Sequence, residues 1–209
     1  MTPAVFSAFD TMCRHYGARG SVLEIGATPT TDSLLNLPSL RACQPRIGIN
    51  IEYAATTPAG EILRGNGNDL SRFPDGSFNV VVSNATLEHD PFFWLTLAEM
   101  RRVLKPGGLL LIGVPGFVRA RSWLRRLAGY LGERLGALAA LAGPLQAFGA
   151  GTPTLLVHDY PGDYFRFSEQ ALREVLLFDM DVLATRAVQT PPRLVGVGRK
   201  RFVSARSSP

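Results

Sequence analysis

Short apolar runs separated by helix-like stretches dominate the first half of the chain. Most runs are continuous, which is typical of strands buried on both faces of a sheet, and the one at 46–51 alternates poorly but is β-branched. The runs lie at 21–25, 46–51, 61–64, 78–83 and 109–114. Residues 1–19 instead carry apolar side chains at helical spacing and predict a short amphipathic helix. The pattern therefore predicts a mostly parallel sheet covered by helices.

The helix before the run at 109–114 has the clearest boundary signals. Asp90 can cap it, Pro91 suits its first position, and Pro106-Gly107-Gly108 ends it. Its apolar face comprises Phe93, Leu97, Met100 and Leu104. A second helix, which could offer free amides to a ligand, is expected after the run at 21–25.

The end of the chain follows a different pattern. A capped helix is predicted at 168–177, followed by strands near 181–188 and 194–203. The connection through Pro191-Pro192 is too short for a parallel crossover, so these two strands must be antiparallel. Residues 116–154 are rich in Arg, Ala, Leu and Gly and predict a helical insert or lid.

Composition limits the class of protein. The 209 residues fit one domain, expected as a helix at 1–19, a core at 21–114, the insert at 116–154 and a final part at 155–209. The net charge of +5 comes mostly from scattered arginines, so no nucleic-acid partner is expected. The two cysteines are too few for a disulfide framework. With no signal peptide and no membrane-spanning run, a cytoplasmic protein is predicted.

Polar residues follow four successive predicted strands. They are Glu24 with Gly26, Asn50 with Glu52, Asn68 with Asp69 and Leu70, and Asn84 with Ala85. Ligands of open α/β sheets bind beyond the carboxyl ends of the strands, where these residues should converge. Their types suit a ribose diol and an adenine. No G-x-G-x-x-G follows the first strand, which argues against a dinucleotide-binding Rossmann domain.

Four segments, taken in order, resemble the class I S-adenosylmethionine-dependent methyltransferases, specifically the methyltransferase type 11 group. They are VLEIG at 22–26, FPDGSF at 73–78, LEH at 87–89 and EMRRVLKPGG at 99–108. The resemblance implies a Rossmann-like, seven-stranded, mostly parallel α/β sheet with an antiparallel last strand and helices on both faces. The sequence differs from the family at two places. Ala27-Thr28-Pro29-Thr30 stands where further glycines are usual, and Asn50 stands where an acid is common.

The resemblance also assigns residues to the cofactor S-adenosylmethionine. Glu24, Gly26, Ala27 and Thr28 would face its methionine end, and Asn50 and Glu52 its ribose. The adenine would lie at Asn68, Asp69 and Leu70, and the sulfonium above Asn84 and Ala85.

The acceptor is expected to bind near the segment 158–168. An alcohol acceptor needs a base, and His158, oriented by Asp159, is our candidate. Tyr160, Tyr164 and His89 would line the acceptor pocket. The carboxylates could instead hold Mg²⁺ against sugar hydroxyls. A third interpretation is a rigid loop in which Asp163 pairs with Arg166.

The segment 161–168 resembles segments of methyltransferases in this group that act in glycan or secondary-metabolite biosynthesis. This resemblance implies O-methylation of a sugar, glycan or other small metabolite. The alternatives are N- or C-methylation of a small molecule, or a non-catalytic S-adenosylmethionine-binding protein. The 116–154 insert would cover the acceptor or form a homodimer contact; contact with an anionic membrane is a third use.

Overall fold

The structure is a computed structural model that describes residues 1–117, 127, 130, 162–188 and 192–202. The chain divides into two compact units, Met1–Gly116 with Pro161–Pro209, and Phe117–Tyr160. All elements below belong to the first unit. Most of the 116–154 insert, and the candidates His158, Asp159 and Tyr160, lie outside the described residues.

The first unit is built on one eight-stranded sheet. Its strands are β1 Val22–Ile25, β2 Arg46–Asn50, β3 Ala55–Thr57, β4 Gly60–Arg64, β5 Phe78–Asn84, β6 Leu104–Pro115, β7 Met180–Val188 and β8 Arg193–Lys200. Their spatial order is β3-β4-β2-β1-β5-β6-β8-β7. Seven of these strands were predicted. The three-residue β3, antiparallel to β4, is too short to leave an apolar pattern.

The order of the parallel strands reverses between β1 and β5. From β1 the chain moves outward to β2 and β4, then returns to add β5 on the other side of β1. Glu24, for example, lies opposite Gly48 of β2 and Val82 of β5. The chain thus builds the sheet on one side of β1 first and on the other side afterwards. At such a reversal of strand order, a crevice opens at the carboxyl ends of the two strands, here β1 and β5.

The predicted antiparallel pair is confirmed. β8 inserts between β6 and β7 and runs antiparallel to both. Its first residue, Arg193, lies opposite Pro115, the last residue of β6. The amino end of β8 therefore reaches the same edge as the carboxyl ends of the parallel strands.

Helices pack on both faces of the sheet, as expected. On one face, α1 (Pro3–His15) buries Val5, Phe9 and Met12 among strand residues such as Val195. On the other, α2 (Phe93–Val103) buries Leu97, Met100 and Val103. The helix predicted at 168–177 is α3 (Glu169–Ala171) continuing as a π-helix over Leu172–Leu176. The Ser168 hydroxyl caps it by accepting the Ala171 N–H at 3.0 Å.

Two helix predictions are wrong in detail. The stretch after β1 forms two single-turn 3₁₀ helices, Leu34–Asn36 and Pro38–Leu40, rather than an α-helix. α2 begins at Phe93 and ends at Val103, because Leu104 already pairs with Phe78 as the first residue of β6. The turn at 106–108 is therefore an irregularity within β6, where Gly107 has a φ of 77°.

Candidate active site

A cleft of about 830 Å³ opens at the carboxyl edge of the sheet. It lies at the crevice that the strand order predicts, and its volume falls within the range of small-molecule sites. Five of the predicted cofactor residues line it: Glu24, Gly26, Thr28, Asn84 and Ala85. They come from the ends of β1 and β5, so these two strands bring the central part of the predicted site together.

Glu24 is a buried carboxylate in the wall of this cleft. It accepts hydrogen bonds from the Ser33 hydroxyl and from the backbone N–H groups of Leu34, at 2.9 Å, and Leu35, at 3.1 Å. Burial raises the pKa of Glu24 to about 7, although these three hydrogen bonds lower it. Glu24 thus fixes the 3₁₀ turn that begins at Leu34, and its charge changes near neutral pH.

The loop after β1 depends on Gly26. Its φ is 84°, and a Cβ at this position would lie 2.1 Å from Thr86 Oγ1. The backbone N–H groups of Gly26 and Ala27 both donate to the carbonyl of Ile49, at 2.9 and 3.2 Å. The Ala27 side chain is buried and occupies the space beside Gly48, away from the cleft.

Asn50 and Glu52, the predicted ribose residues, do not line the cleft. Asn50 Nδ2 donates to the Ala27 carbonyl at 2.7 Å, and its Oδ1 accepts the N–H of Glu52 at 2.8 Å and of Tyr53 at 3.2 Å. Asn50 therefore joins the loops after β1 and β2, while Glu52 is exposed. Tyr53, which the sequence did not single out, takes the place at the cleft.

The predicted adenine residues also lie outside the cleft lining. Asn68 is held by Thr96, whose hydroxyl donates to its Oδ1 at 2.5 Å. Asp69 is exposed, and hydrogen bonds from the Ser71 hydroxyl and backbone N–H lower its pKa. Leu70 is fully buried, and its side chain packs in the core under α2. The Leu70 side chain is thus not available to an adenine.

Arg102 attaches this loop to α2. Its guanidinium donates to Glu99 Oε1 at 2.7 Å, to Asp75 Oδ1 at 2.7 Å and to the Leu70 and Phe73 carbonyls, both at 2.9 Å. Glu99 in turn accepts the Leu70 N–H at 2.7 Å. This network gives the EMRRVLKPGG and FPDGSF segments a shared structural role.

Asn84 and Ala85 form the floor of the cleft at the end of β5. Ala85 has a φ of 56°, which is uncommon outside glycine, and its N–H donates to the Gly113 carbonyl at 3.0 Å. Asn84 Oδ1 is buried and has no hydrogen-bond partner among the described residues. Strained backbone and an unsatisfied polar atom together mark this strand end as a candidate ligand site.

The described acceptor candidates, His89 and Tyr164, do not line the cleft. His89 ends the 3₁₀ helix Leu87–His89, and the Tyr164 side chain is 57% exposed. The Tyr164 N–H donates to the Glu88 carbonyl at 2.8 Å. Asp163 and Arg166 form a two-armed ion pair, as the rigid-loop interpretation predicted.

Arg193 and Glu88 are site residues that the sequence reasoning did not assign. Arg193 lines the cleft, and its Nη1 donates to Glu88 Oε1 at 2.9 Å. The Glu88 side chain is fully buried and that of Arg193 is 19% exposed. A usable signal was present: the first residue of an antiparallel last strand must lie at the carboxyl edge of the parallel strands.

The described part of the chain offers no magnesium site, and Asp159 lies outside it. Across the described residues, no group of three His, Cys, Asp or Glu side chains lies close enough to hold a metal ion. In the same part of the chain, no helix is both long and apolar enough to cross a membrane.

The strand order, the reversed β8 and the cleft at the β1–β5 switch define a Rossmann-like α/β fold. Residues 41–112, about a third of the chain, match a family model described as a methyltransferase domain. Sequence match and fold support the class I S-adenosylmethionine-dependent methyltransferase that the resemblance predicted, and support that activity. No protein of curated function matches the sequence.

Solved structures agree on the fold. A 1,6-didemethyltoxoflavin-N1-methyltransferase of Burkholderia thailandensis, with bound 1,6-didemethyltoxoflavin and S-adenosylhomocysteine, is 17% identical, with a TM-score of 0.63 over 95% of this chain and 79% of that one. A Methanosarcina mazei S-adenosylmethionine-dependent methyltransferase is 21% identical, with a TM-score of 0.59 over 91% and 97%. The N-methyltransferase NodS of Bradyrhizobium japonicum, in complex with S-adenosylhomocysteine, is 13% identical, with a TM-score of 0.58 over 96% and 90%.

Proposed function

We propose that this protein transfers a methyl group from S-adenosylmethionine to a hydroxyl of a sugar, a glycan or another small metabolite. The observation that carries the proposal is the cleft at the ends of β1 and β5, with Glu24, Gly26, Thr28, Asn84 and Ala85 in its wall. Two of the neighbouring structures hold S-adenosylhomocysteine, the demethylated product of this cofactor.

The residues present fit such a cofactor. S-adenosylmethionine supplies a methyl carbon activated by a positively charged sulfur. The lining includes the carboxyl groups of Glu24 and of Asp32, which is paired with the Met1 N-terminal ammonium at 2.9 Å, and a backbone that a ligand can approach closely at Gly26. Asn84 Oδ1, buried without a partner among the described residues, marks the floor beside Ala85.

On the acceptor side, methyl transfer depends mainly on holding the nucleophile in line with the methyl carbon. A hydroxyl must also lose its proton, for which we propose His158 as the base, oriented by Asp159. Tyr160, Tyr164 and His89 would surround the acceptor. The support is the residue content of 158–166, which combines a base, carboxylates, tyrosines and an arginine in one segment.

His158→Ala tests the base. Removing a general base typically lowers turnover about 10²- to 10⁴-fold, and we expect that loss with an unchanged affinity for S-adenosylhomocysteine. His15→Ala, at an exposed position of α1, is the matched control and should behave as wild type. Labelled methyl transfer onto a panel of saccharides and phenols, with and without Mg²⁺, provides the assay. Wild-type turnover in His158→Ala would remove His158 from the mechanism.

N-methylation is the second candidate, because two of the similar structures are named as N-methyltransferases. Amines added to the same panel distinguish it: a labelled amine product with unlabelled alcohols would replace the O-methylation proposal. A protein that is stabilised by S-adenosylmethionine in a thermal shift yet transfers no methyl would be a binding protein only. Absence of any stabilisation by S-adenosylmethionine or S-adenosylhomocysteine would refute the cofactor itself.

A further inference from the structure

The cationic side chain of Arg193 lines the cleft and is held by a buried carboxylate, that of Glu88. Glu88, from the short helix after β5, is fully buried and accepts a hydrogen bond at 2.9 Å from Arg193 at the start of β8. Apolar side chains of similar volume stabilise a fold as well as a buried ion pair, or better. Stability alone therefore does not account for placing this pair in the wall of the cleft.

Most of the Arg193 guanidinium is unused. It has five N–H donors, of which the described residues engage one, through Nη1 and Glu88 Oε1. Arg166, the other arginine whose charge Glu88 influences, is occupied by both carboxylate oxygens of Asp163. Arg193 thus lines the cleft with donors left over, while Glu88 holds its Nη1. The planar fork of a guanidinium suits the two oxygens of a carboxylate or phosphate.

The charges of the cleft are separated along the sheet. Asp32, in the loop after β1, is paired with the Met1 N-terminal ammonium at 2.9 Å, and Arg193 is the one cationic side chain among the described residues of the lining. An anionic group is therefore attracted to the end of the cleft at Arg193. The cleft can therefore orient a ligand that carries a negative charge.

The strand order places Arg193 on the acceptor side. β8 lies two strands beyond β5, in the order β1-β5-β6-β8, which corresponds to about 10 Å at the usual strand spacing. A cofactor over the ends of β1 and β5 would leave Arg193 on the far side of Asn84 from Gly26. A group held by Arg193 then belongs to the second substrate.

We propose that Arg193 binds an anionic group of the methyl acceptor, and that Glu88 is the positioning residue for Arg193. The acceptor is then an acidic metabolite, such as a uronate or a hydroxy acid, or a phosphorylated sugar. The anionic group is a recognition handle that is not itself methylated. This inference rests on the proposed methyltransferase function.

Matched acceptors test the inference. Glucuronate and a hexose phosphate are compared with glucose, and para-hydroxybenzoate with its amide, by labelled methyl transfer. We expect the kcat/KM of wild type to be at least tenfold higher for the anionic member of each pair. Arg193→Gln should abolish this preference. Its kcat/KM for the anionic acceptor should fall roughly tenfold to hundredfold, the effect of losing one charged hydrogen-bonding partner. The affinity for S-adenosylhomocysteine should stay unchanged. Arg186→Gln, an exposed position on the adjacent β7, removes the same charge and is the control.

The two companion variants separate positioning from charge. Arg193→Lys keeps the charge without the fork and should retain only part of the preference. Glu88→Gln should raise KM for the anionic acceptor more than it changes kcat for that acceptor, which is the split expected of a positioning residue. The comparison between carboxylate and phosphate acceptors identifies which of the two oxyanions Arg193 binds.

Several outcomes would overturn the inference. If wild type methylates neutral acceptors with the same kcat/KM as anionic ones, recognition of an anionic group is refuted while the methyltransferase function stands. If Arg193→Gln weakens S-adenosylhomocysteine binding instead of acceptor preference, Arg193 belongs to the cofactor site. Methyl esters as products would make the anion the reacting group. A wild type that binds no S-adenosylhomocysteine would refute the proposed function itself, together with this inference.

Discussion

Replacing Glu24 by Gln should remove a pH dependence of stability that arises from one carboxyl. In the folded protein Glu24 keeps its proton up to a pKa of about 7, against an ordinary value of 4.5 in the unfolded chain. Between these two values the folded state holds more protons, so the free energy of unfolding falls as pH rises. The contribution is fully present below pH 4.5 and lost once pH has passed about 7.

The size of the effect follows from the same two values. Their separation corresponds to about 3 kcal/mol of unfolding free energy across the interval. Glutamine is close in shape and does not titrate. Its side-chain oxygen can still accept the N–H of Leu34 or Leu35, and the Ser33 hydroxyl can accept from its amide. The stability of wild type minus that of Glu24→Gln should therefore decline by about 3 kcal/mol between pH 4.5 and 8.

Urea unfolding of both proteins at half-unit steps from pH 4 to 8.5 measures this difference directly. Glu99→Gln is a control of opposite sign, because its hydrogen bond with Arg102 lowers the pKa of Glu99. Wild type should therefore gain stability over Glu99→Gln as pH rises through the ordinary range of a carboxyl. A wild type–Glu24→Gln difference that stays constant from pH 4.5 to 8 would show that Glu24 is ionised in the fold throughout, and would refute the reasoning.

Two further substitutions test the loops around the cleft. Gly26→Ala combines a positive φ with a Cβ 2.1 Å from Thr86 Oγ1, whereas Gly17→Ala has a similar φ and open space. We expect thermal unfolding to show a loss of stability of about 1 kcal/mol for Gly17→Ala and a clearly larger loss for Gly26→Ala. Binding of S-adenosylhomocysteine should be lost in Gly26→Ala alone. Equal losses of stability would contradict the steric argument. Arg102→Met should lower unfolding free energy by about 2 kcal/mol, since it breaks hydrogen bonds to two carboxylates and two carbonyls, and Arg72→Met, at an exposed position of the same loop, by almost nothing. Urea midpoints that match for the two arginine variants would contradict the role of Arg102.

Much of the fold was predictable because buried strands leave continuous apolar runs. The proline pair between the last two strands also gave their antiparallel direction correctly. The segment after β1 was less predictable: it is rich in prolines and polar residues, and it forms single 3₁₀ turns held by Glu24, a partner nine or more positions away. Local sequence does not encode that long-range support.

The candidate site was predictable where residues lie at or just after the carboxyl end of a strand. Glu24, Gly26, Asn84 and Ala85 line the cleft for that reason, and Thr28 follows in the first loop. Asn50 and Leu70 have residue types suited to a ligand, yet one bridges two loops and the other packs in the core. Residue type alone does not separate binding from packing, since a turn and a ribose offer an amide the same hydrogen bonds.

The position of β8 between β6 and β7 has a consequence for biosynthesis. β7 pairs only with β8, which follows it along the chain, so β7 has no place in the sheet until β8 has been made. β8 in turn must find β6, whose paired residues lie about eighty positions earlier. Such distant pairing is slow to form, whereas the parallel strands up to β6 can assemble while synthesis continues. The half of the cleft near Gly26 should thus exist on the ribosome before Arg193 completes the other half.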